Sequence, residues 1–546
     1  MVEIPTVLLI TAMYLLPGLV GHDPWRPDEI YAFGIIYDFL SSSADWIVPT
    51  VAGVPFMEKP PLLYWVAAAF ARAFSGWLPL HDGARLAVGF FMGITCLATA
   101  LAARQWWGNG AGRLSLLVLL ACVGLVQHAH MMLTDVPLLT GFALATCGLA
   151  FFTSRPVVGG LLLGSGVGVG FLAKGLIAPG VIGTMVALLL LLFPPWRTRN
   201  ALYAFALAVL TALPWITIWP AALYLRSPTL FMEWFWSNNV GRFVGFSVSE
   251  LGARNEGGLW WRTVLWFTFP ALPLAIVTLW RFRARPWEPP AIQVCVLLFV
   301  VIAIVLGVSA SARVNYFLPL LIPASVLAAP GAARLGEGVN NILHRSAKVV
   351  FGLLAIFLWV VWFVMIMRGA PPSLPLVNEY LPTDFHASFN AKPFLLALIL
   401  SLAAVIAMWK LPAQPRALTS WVLGIALVWG LLSTLCGPWL DNAKSYRSVF
   451  VPMKQVLGTG YNCVFATNLA ESERGMLDYF AGVITKRGTN GAEPGCDYWL
   501  YRRLADAQLK EVDPKLWTLV WEGARPGDRR ERFLLFKSPT AGMVAY

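Results

Sequence analysis

The chain has 546 residues, 58% of them hydrophobic and only 12% charged, a balance that excludes a soluble globular protein. Its formal net charge is +12. That charge does not point to nucleic acid: much of the excess lies in short loops between apolar runs, and no groove of interleaved basic and aromatic residues stands out.

In chain order, the N-terminus Met1-Val2-Glu3-Ile4 lacks the basic start of a signal peptide, and no small-residue cleavage site follows Leu16. The first apolar run is therefore expected to stay as an anchor. About thirteen spans follow from the need for roughly 20 apolar residues each. They cover 5–20, 83–103, 114–129, 135–153, 157–174, 177–194, 201–220, 259–280, 291–309, 313–331, 348–367, 393–409 and 417–437. The 25 tryptophans suit belts at the two membrane surfaces.

Alternate short loops carry Arg104 and Arg113, Arg155, Arg197 and Arg199, Arg281, Arg283 and Arg285, then Arg334, Arg345 and Lys348, and finally Lys410 and Arg416. Acidic residues are scarce among them, so these loops are expected to be cytoplasmic. The stretch 25–61, the loops 221–258 and 368–392 and the tail beyond 440 then face the other side, and nearly all the carboxylates go with them.

The stretch 25–61 carries the chemistry. It reads Trp25-Arg26-Pro27-Asp28-Glu29, then an apolar run, then Met57-Glu58-Lys59-Pro60-Pro61. Charge beside lipid is costly, so such a cluster is a functional candidate. The spacing Ile30, Phe33, Ile36, Tyr37, Leu40 predicts a helix lying on the membrane. Pro60-Pro61 starts a second apolar helix over 62–74. Asp28 reads equally as a helix cap or as a carboxylate kept ionised by the helix N-terminus. Lys59, extended before proline, suits a phosphate or a lipid headgroup.

Asp135 borders lipid at the outer end of its span, preceded by His128 and His130; His-x-His with Asp is a weak metal signal. Lys174, Arg242 and Arg313 fall on the same outer side, each readable as an anchor and together as an anion site. The loop holding Glu233-Trp234-Phe235-Trp236 and Asn238-Asn239-Val240-Gly241-Arg242 is too polar to span. The run Gly164-Ser165-Gly166-Val167-Gly168-Val169-Gly170 lies inside an apolar span, so it serves close helix packing and not a dinucleotide. Cys96, Cys122, Cys147, Cys295 and Cys436 sit in apolar runs as packing residues. Cys463 and Cys496 stand alone in the polar tail, where an oxidising compartment would allow a disulfide.

From residue 441 the composition changes. Short segments at 449–456, 462–466, 477–483, 497–500, 517–521 and 532–536, separated by Gly, Asn and Pro, predict a small α/β domain large enough to hold its own core. The expected organisation is a membrane domain over 1–440, with a first outer loop at 21–82, and a soluble domain over 441–546.

Several features recur in one order: Asp-Glu after the first span, Glu-Lys-Pro-Pro before the second, Thr-Asp entering the fourth, Lys-Gly ending the fifth and Arg-x-x-Tyr entering the tenth. In this the chain resembles the bacterial PMT-like GT-C glycosyltransferases, and among them the lipid A aminoarabinose transferases. The resemblance implies an α-helical polytopic membrane protein of the GT-C fold with a small C-terminal periplasmic α/β domain. It also implies a multi-pass enzyme of the bacterial inner membrane, with its active site and C-terminal domain in the periplasm. Such an enzyme would move 4-amino-4-deoxy-L-arabinose from undecaprenyl phosphate to lipid A phosphate, with inversion. Its partners would be that lipid-linked donor, lipid A and membrane lipids, and not nucleic acid.

Asp28 matches the family's catalytic aspartate and Asp135 its second acidic position; Glu29 joins them as a candidate. Lys59 and Tyr316 match positions near the donor phosphate, and Glu58, Lys174, Arg242 and Arg313 complete the expected substrate-binding set. The segment 238–242 departs from the aminoarabinose-transferase pattern. No metal ligand set is assigned, and a divalent cation stays compatible with the motifs. A PMT-type transferase acting on protein or another glycan is the alternative. A lipid transporter fits less well, because the charges sit at span ends on one side and not at the midplane of broken helices.

Overall fold

The computed structural model describes residues 3–41, 44–251, 255, 258–372, 381–411, 415–487, 495–504, 516–528 and 530–539. Among these, eight helices are long and apolar enough to cross a membrane, and two more candidates are helix pairs bent at a short break. With the shorter apolar helices Ile4–Leu15, Asp135–Phe151 and Ile177–Leu192 they coincide with the expected spans. The fold class read from the resemblance is borne out.

The two bends meet. Asn109–Ala121 turns by 66° into 123–130, and Leu259–Phe267 turns by 83° into Ala271–Arg281. Pro270, which has no N–H to donate, accounts for the second break. Val123 at the first donates its N–H to the Phe269 carbonyl at 3.0 Å. Each break thus supplies a partner for the other, as irregular backbone at membrane depth requires.

Small residues set the tightest crossing. A Cβ added at Gly141 would lie 2.6 Å from the Gly166 carbonyl oxygen, and one at Gly148 would lie 2.5 Å from the Leu163 nitrogen. The glycine run of Pro156–Lys174 therefore meets Asp135–Phe151 backbone to backbone, as packing and not as a nucleotide loop.

The loops separate into two sets. At one end Trp107 packs on Phe282 (5.7 Å between ring centres), Phe193 on Trp287 (5.6 Å), and Gln105 donates to Ser154 at 2.9 Å. The basic loops gather there. At the other end Trp219 donates to the Ile47 carbonyl at 2.9 Å and Arg226 pairs with Asp45 at 3.1 Å. The stretch 25–61, the 227–245 region and the C-terminal segment meet at this second end.

The helix Glu29–Phe39 forms as expected, but it does not lie on lipid. Ile30, Phe33 and Ile36 are buried; Phe33 and Tyr37 pack edge-on against Tyr479 at 4.7 and 5.1 Å. Its apolar face meets the helix Glu471–Ala481, whose Gly475 stands against Gly34.

The C-terminal segment forms a five-stranded sheet in the order Lys486–Arg487, Val464–Thr467, Tyr498–Leu504, Glu531–Lys537, Thr518–Gly523. The first two pairings are parallel and the last two antiparallel. Successive strand residues point to opposite faces. Val464, Ala466, Leu500, Phe533 and Leu535 join the main core, whereas Phe465, Tyr501, Leu534 and Phe536 form a small core with Trp517. One face of the sheet thus has a core of its own, and the other shares the core of the helical body. Cys463 and Cys496 are bonded to each other.

Packing at the glycine crossing yields a test. Gly166→Leu should force the two helices apart and cost about 1–3 kcal/mol, read as a lower melting temperature in detergent. Gly183→Leu, where an added Cβ meets nothing within 4 Å, should melt as the parent does. Equal melting of both variants would refute the crossing.

Candidate active site

Asp28 stands at the N-cap position of Glu29–Phe39, yet its side chain makes no capping hydrogen bond. Its nearest cation is Arg313 at 3.8 Å, beyond hydrogen-bond range. So loose a pair holds little energy and leaves the carboxylate available. Burial raises the Asp28 carboxyl above its ordinary value; the Arg313 charge opposes this, the nearby Asp135 charge adds to it, and Lys174 and Lys59 oppose it further.

Lys59 and Lys174, whose charges act on Asp28, line a cavity of about 380 Å³ to which Asp28 itself does not contribute. Glu58, Lys59, Lys174, Arg242 and Tyr316 line its polar side, and Ile177, Val181 and Val305 its apolar wall. Five of the residues named from the sequence thus line one space. Arg242 pairs with Glu58 at 2.9 Å, and Lys59 lies 4.0 Å from the same carboxylate. Burial lowers the Lys59 ammonium below its ordinary value; Tyr316 and Glu58 push the other way, while Lys174 and Arg242 act with burial. An anion entering the cavity would relieve that crowding of positive charge. Two larger cavities, of about 520 and 870 Å³, have different linings: the first has Arg281 and Arg334 at the opposite end, the second no charged residue.

Lys174 is held by Asp135 and by the Tyr316 ring, and Asn315 in turn holds Asp135. Asp135 pairs with the lysine closely through Oδ1, Asn315 donates to Oδ2 of that carboxylate at 2.9 Å, and the Tyr316 ring lies 3.6 Å from the ammonium. Both oxygens of Asp135 are thereby engaged, one on Lys174 and one on Asn315. The chain reverses after Lys174 at Gly175, where φ is +73° and an added Cβ would run into the Asn239 side chain. Only glycine meets both demands. Asn239 in turn accepts the Leu176 N–H at 3.2 Å. It belongs to the π-helical turn Glu233–Gly241, which Trp234 anchors in the core. This turn delivers Arg242 to the cavity.

Glu29 is a correction. Expected beside Asp28 as a catalytic carboxylate, it is fully buried. Its Oε1 accepts from Arg85 Nε at 3.0 Å and from the Met132 N–H at 3.1 Å; its Oε2 accepts the Trp25 N–H at 3.1 Å. It is a buried strut. Arg85, also fully buried, bonds Asp82 at 2.9 Å and the carbonyls of His22 and Asp23 at 3.2 Å. Sequence reading passed over Arg85 and Asp82. The available signal was an i,i+3 ion pair entering an otherwise uncharged span.

The histidines of the weak His-x-His signal are engaged with backbone carbonyls. His130 has both ring nitrogens against carbonyl oxygens, Val126 at 2.7 Å and Tyr14 at 2.8 Å, and His128 faces the Gly124 carbonyl at 2.8 Å. Neither is poised as a ligand with Asp135. Among the described residues no group of three or more His, Cys, Asp or Glu could hold a metal ion.

Comparison with known proteins agrees with the geometry. Residues 58–219 match the family model described as dolichyl-phosphate-mannose-protein mannosyltransferase. The undecaprenyl phosphate-alpha-4-amino-4-deoxy-L-arabinose arabinosyl transferase 1 of Pseudomonas fluorescens is 25% identical over 465 residues, covering 81% of this chain and 75% of that protein. A transferase of the same name from Pseudomonas aeruginosa is 26% identical, covering 77% and 74%. The crystal structure of ArnT from Cupriavidus metallidurans bound to undecaprenyl phosphate superposes with a TM-score of 0.70 over 97% of both chains, at 16% identity. The likeness to PMT-like GT-C glycosyltransferases, and to aminoarabinose transferases among them, is borne out.

Breaking the strut separates structure from chemistry. Arg85→Ala leaves Glu29 buried without its cation and should cost about 3–5 kcal/mol of stability. Asp28→Asn should melt as the parent does. A stable Arg85→Ala protein would show the strut to be dispensable.

Proposed function

We propose that this chain, a PMT-like glycosyltransferase, moves 4-amino-4-deoxy-L-arabinose from undecaprenyl phosphate to a phosphate of lipid A, on the periplasmic face of the inner membrane and with inversion. One observation carries the reading: a half-apolar cavity collects Lys59, Lys174 and Arg242, and the charges of the two lysines act on an uncapped, partly buried Asp28. A lipid-linked phosphate needs that combination of cations and an apolar wall. The names of the relatives supply the sugar and the lipid.

In this reading the bond from sugar C1 to the undecaprenyl phosphate oxygen breaks, and the electron pair stays on that oxygen. Lys59, with Lys174 and Arg242, stabilises the charge as it develops. An oxygen of the acceptor phosphate forms the new bond to C1 from the opposite face. That oxygen is already anionic, so ionised Asp28 serves chiefly to stabilise positive charge on the sugar. With a hydroxyl acceptor the same carboxylate would take the proton. Asp135 keeps Lys174 oriented. Glu58 reaches the cavity and is the carboxylate that an ammonium on the sugar could meet.

The side assignment rests on charge and redox chemistry. The basic loops gather at the end opposite Asp28, as cytoplasmic loops do, and the bonded Cys463–Cys496 pair suits an oxidising compartment. The match to the mannosyltransferase model over 58–219 favours a second reading, a PMT-type transferase acting on protein.

The deciding assay offers purified protein undecaprenyl-phosphate-linked aminoarabinose with lipid A, or polyprenyl-phosphate mannose with peptide. Transfer to lipid A is expected, and Asp28→Asn should lower it by roughly a hundredfold or more. Transfer to peptide alone would overturn the choice of acceptor.

The pH profile tests Asp28 separately. The ionised form is the active one and burial raises its pKa, so activity should be present above the acid limb and be lost as pH falls through a value above the ordinary carboxylate range. Arg313 lowers that pKa, so Arg313→Gln should move the acid limb of kcat/KM to higher pH. This limb reports free enzyme and free substrate, and the substrate's own titration does not change with the variant. An unmoved limb would assign it to another group.

A further inference from the structure

The loop before Asp28 is gripped by residues more than four hundred positions away. The Asp23 N–H and the Trp25 indole N–H both donate to Asp441 Oδ1, at 2.9 and 2.8 Å. The Asp23 carboxylate accepts from Ser445 Oγ at 2.7 Å and from Arg447 Nε at 2.8 Å. Arg26 Nη1 donates to Glu531 Oε1 at 2.9 Å, and Arg26 Nη2 lies 3.7 Å from Glu473. Glu531 is itself buried and fixed by Tyr446 at 2.7 Å, Arg502 at 2.8 Å and Arg525 at 3.2 Å. The receiving end of the Arg26 contact is therefore rigid, with a position set by the C-terminal sheet.

On the far side of Asp28, Glu29 is fixed to Arg85 and to the Met132 N–H, both on the helical body. One residue, Pro27, separates Arg26 from Asp28, and proline holds φ near one value. Asp28 thus sits between a hold from the C-terminal segment and a hold from the membrane helices. Its own side chain makes no capping bond that would place it.

We propose that the C-terminal segment is a positioning part of the active site, setting the place of Asp28 through Arg26 on Glu531 and Trp25 on Asp441. The inference rests on the reading of Asp28 as the reacting carboxylate. Arg26 and Trp25 do not line the cavity; they act through the backbone that carries Asp28. The arrangement gives a C-terminal sheet remote from the cavity a direct bearing on turnover. It also explains why that sheet shares its core with the helical body: a positioning element must not move relative to what it positions.

The test uses the full chain, purified in detergent. Arg26→Ala removes one hold while Glu531 keeps Tyr446, Arg502 and Arg525, so the fold should persist. Trp25→Phe removes the indole N–H and keeps an aromatic ring. Each variant should lower kcat by roughly tenfold to a hundredfold, with KM for the donor lipid and the melting temperature unchanged, and Arg26→Lys should recover part of the loss. A rise in KM at constant kcat would overturn the proposal, since it would make these residues substrate contacts. Parental kcat in both folded variants, alongside an inactive Asp28→Asn, would overturn the positioning role alone. An active Asp28→Asn would overturn the underlying reading as well. If Arg26→Ala proves unstable, Trp25→Phe decides by the same criteria.

Discussion

An ionised group at the edge of a membrane is stable only with a partner, and in this protein the Glu29–Arg85 ion pair meets that requirement most fully. Both side chains are completely buried. Removing either would strand the other in a medium where an unpaired charge is severely penalised. The pair ties the loop after the first span to Leu80–Trp107 and, through the Met132 N–H, to the approach of Asp135–Phe151. Asp28, one residue earlier, has among the described residues the loose Arg313 contact as its ion pair. A saturated carboxylate beside an unsatisfied one is what a fixed reactive group needs: the first supplies rigidity, the second reactivity.

The same contrast divides the cations. Arg85 is spent on structure, whereas Lys59, Lys174 and Arg242 face a common cavity. Lys174 is steered by Asp135, Asn315 and Tyr316, and Arg242 by Glu58. Lys59 has a carboxylate at 4.0 Å, Tyr316 nearby and the crowding of like charge around it. A phosphate arriving there would find preoriented donors whose mutual repulsion it relieves, so little reorganisation is needed when charge develops on the leaving oxygen.

Much of this was legible in the sequence. Long uncharged runs mark spans because no other structure hides that much apolar surface, and even the bent pairs kept their overall apolar length. The cavity residues Glu58, Lys59, Lys174 and Arg242 were legible, with Asp135 and Arg313 near them, because each interrupts or borders an apolar stretch. What was hidden is direction. Asp28 and Glu29 are adjacent and chemically alike, yet one stands loosely by Arg313 and the other is buried on Arg85; composition cannot separate them. Asp441, Arg447 and Glu531 lie in a tail of ordinary polar composition, and no local pattern announces partners near residue 25. The π-helical turn that presents Arg242 depends on Trp234 packing in the core, a tertiary cause without a local signature.

The central claim is that the cavity lined by Lys59, Lys174 and Arg242 receives the phosphate of a polyprenyl donor. A cryo-electron microscopy map of the protein in lipid nanodiscs with undecaprenyl phosphate tests it most directly. The account predicts phosphate density against Lys59 and Arg242, with the isoprenoid chain leaving along Ile177, Val181 and Val305. Phosphate density at Arg281 and Arg334, with the cavity beside Lys59 empty, would contradict it.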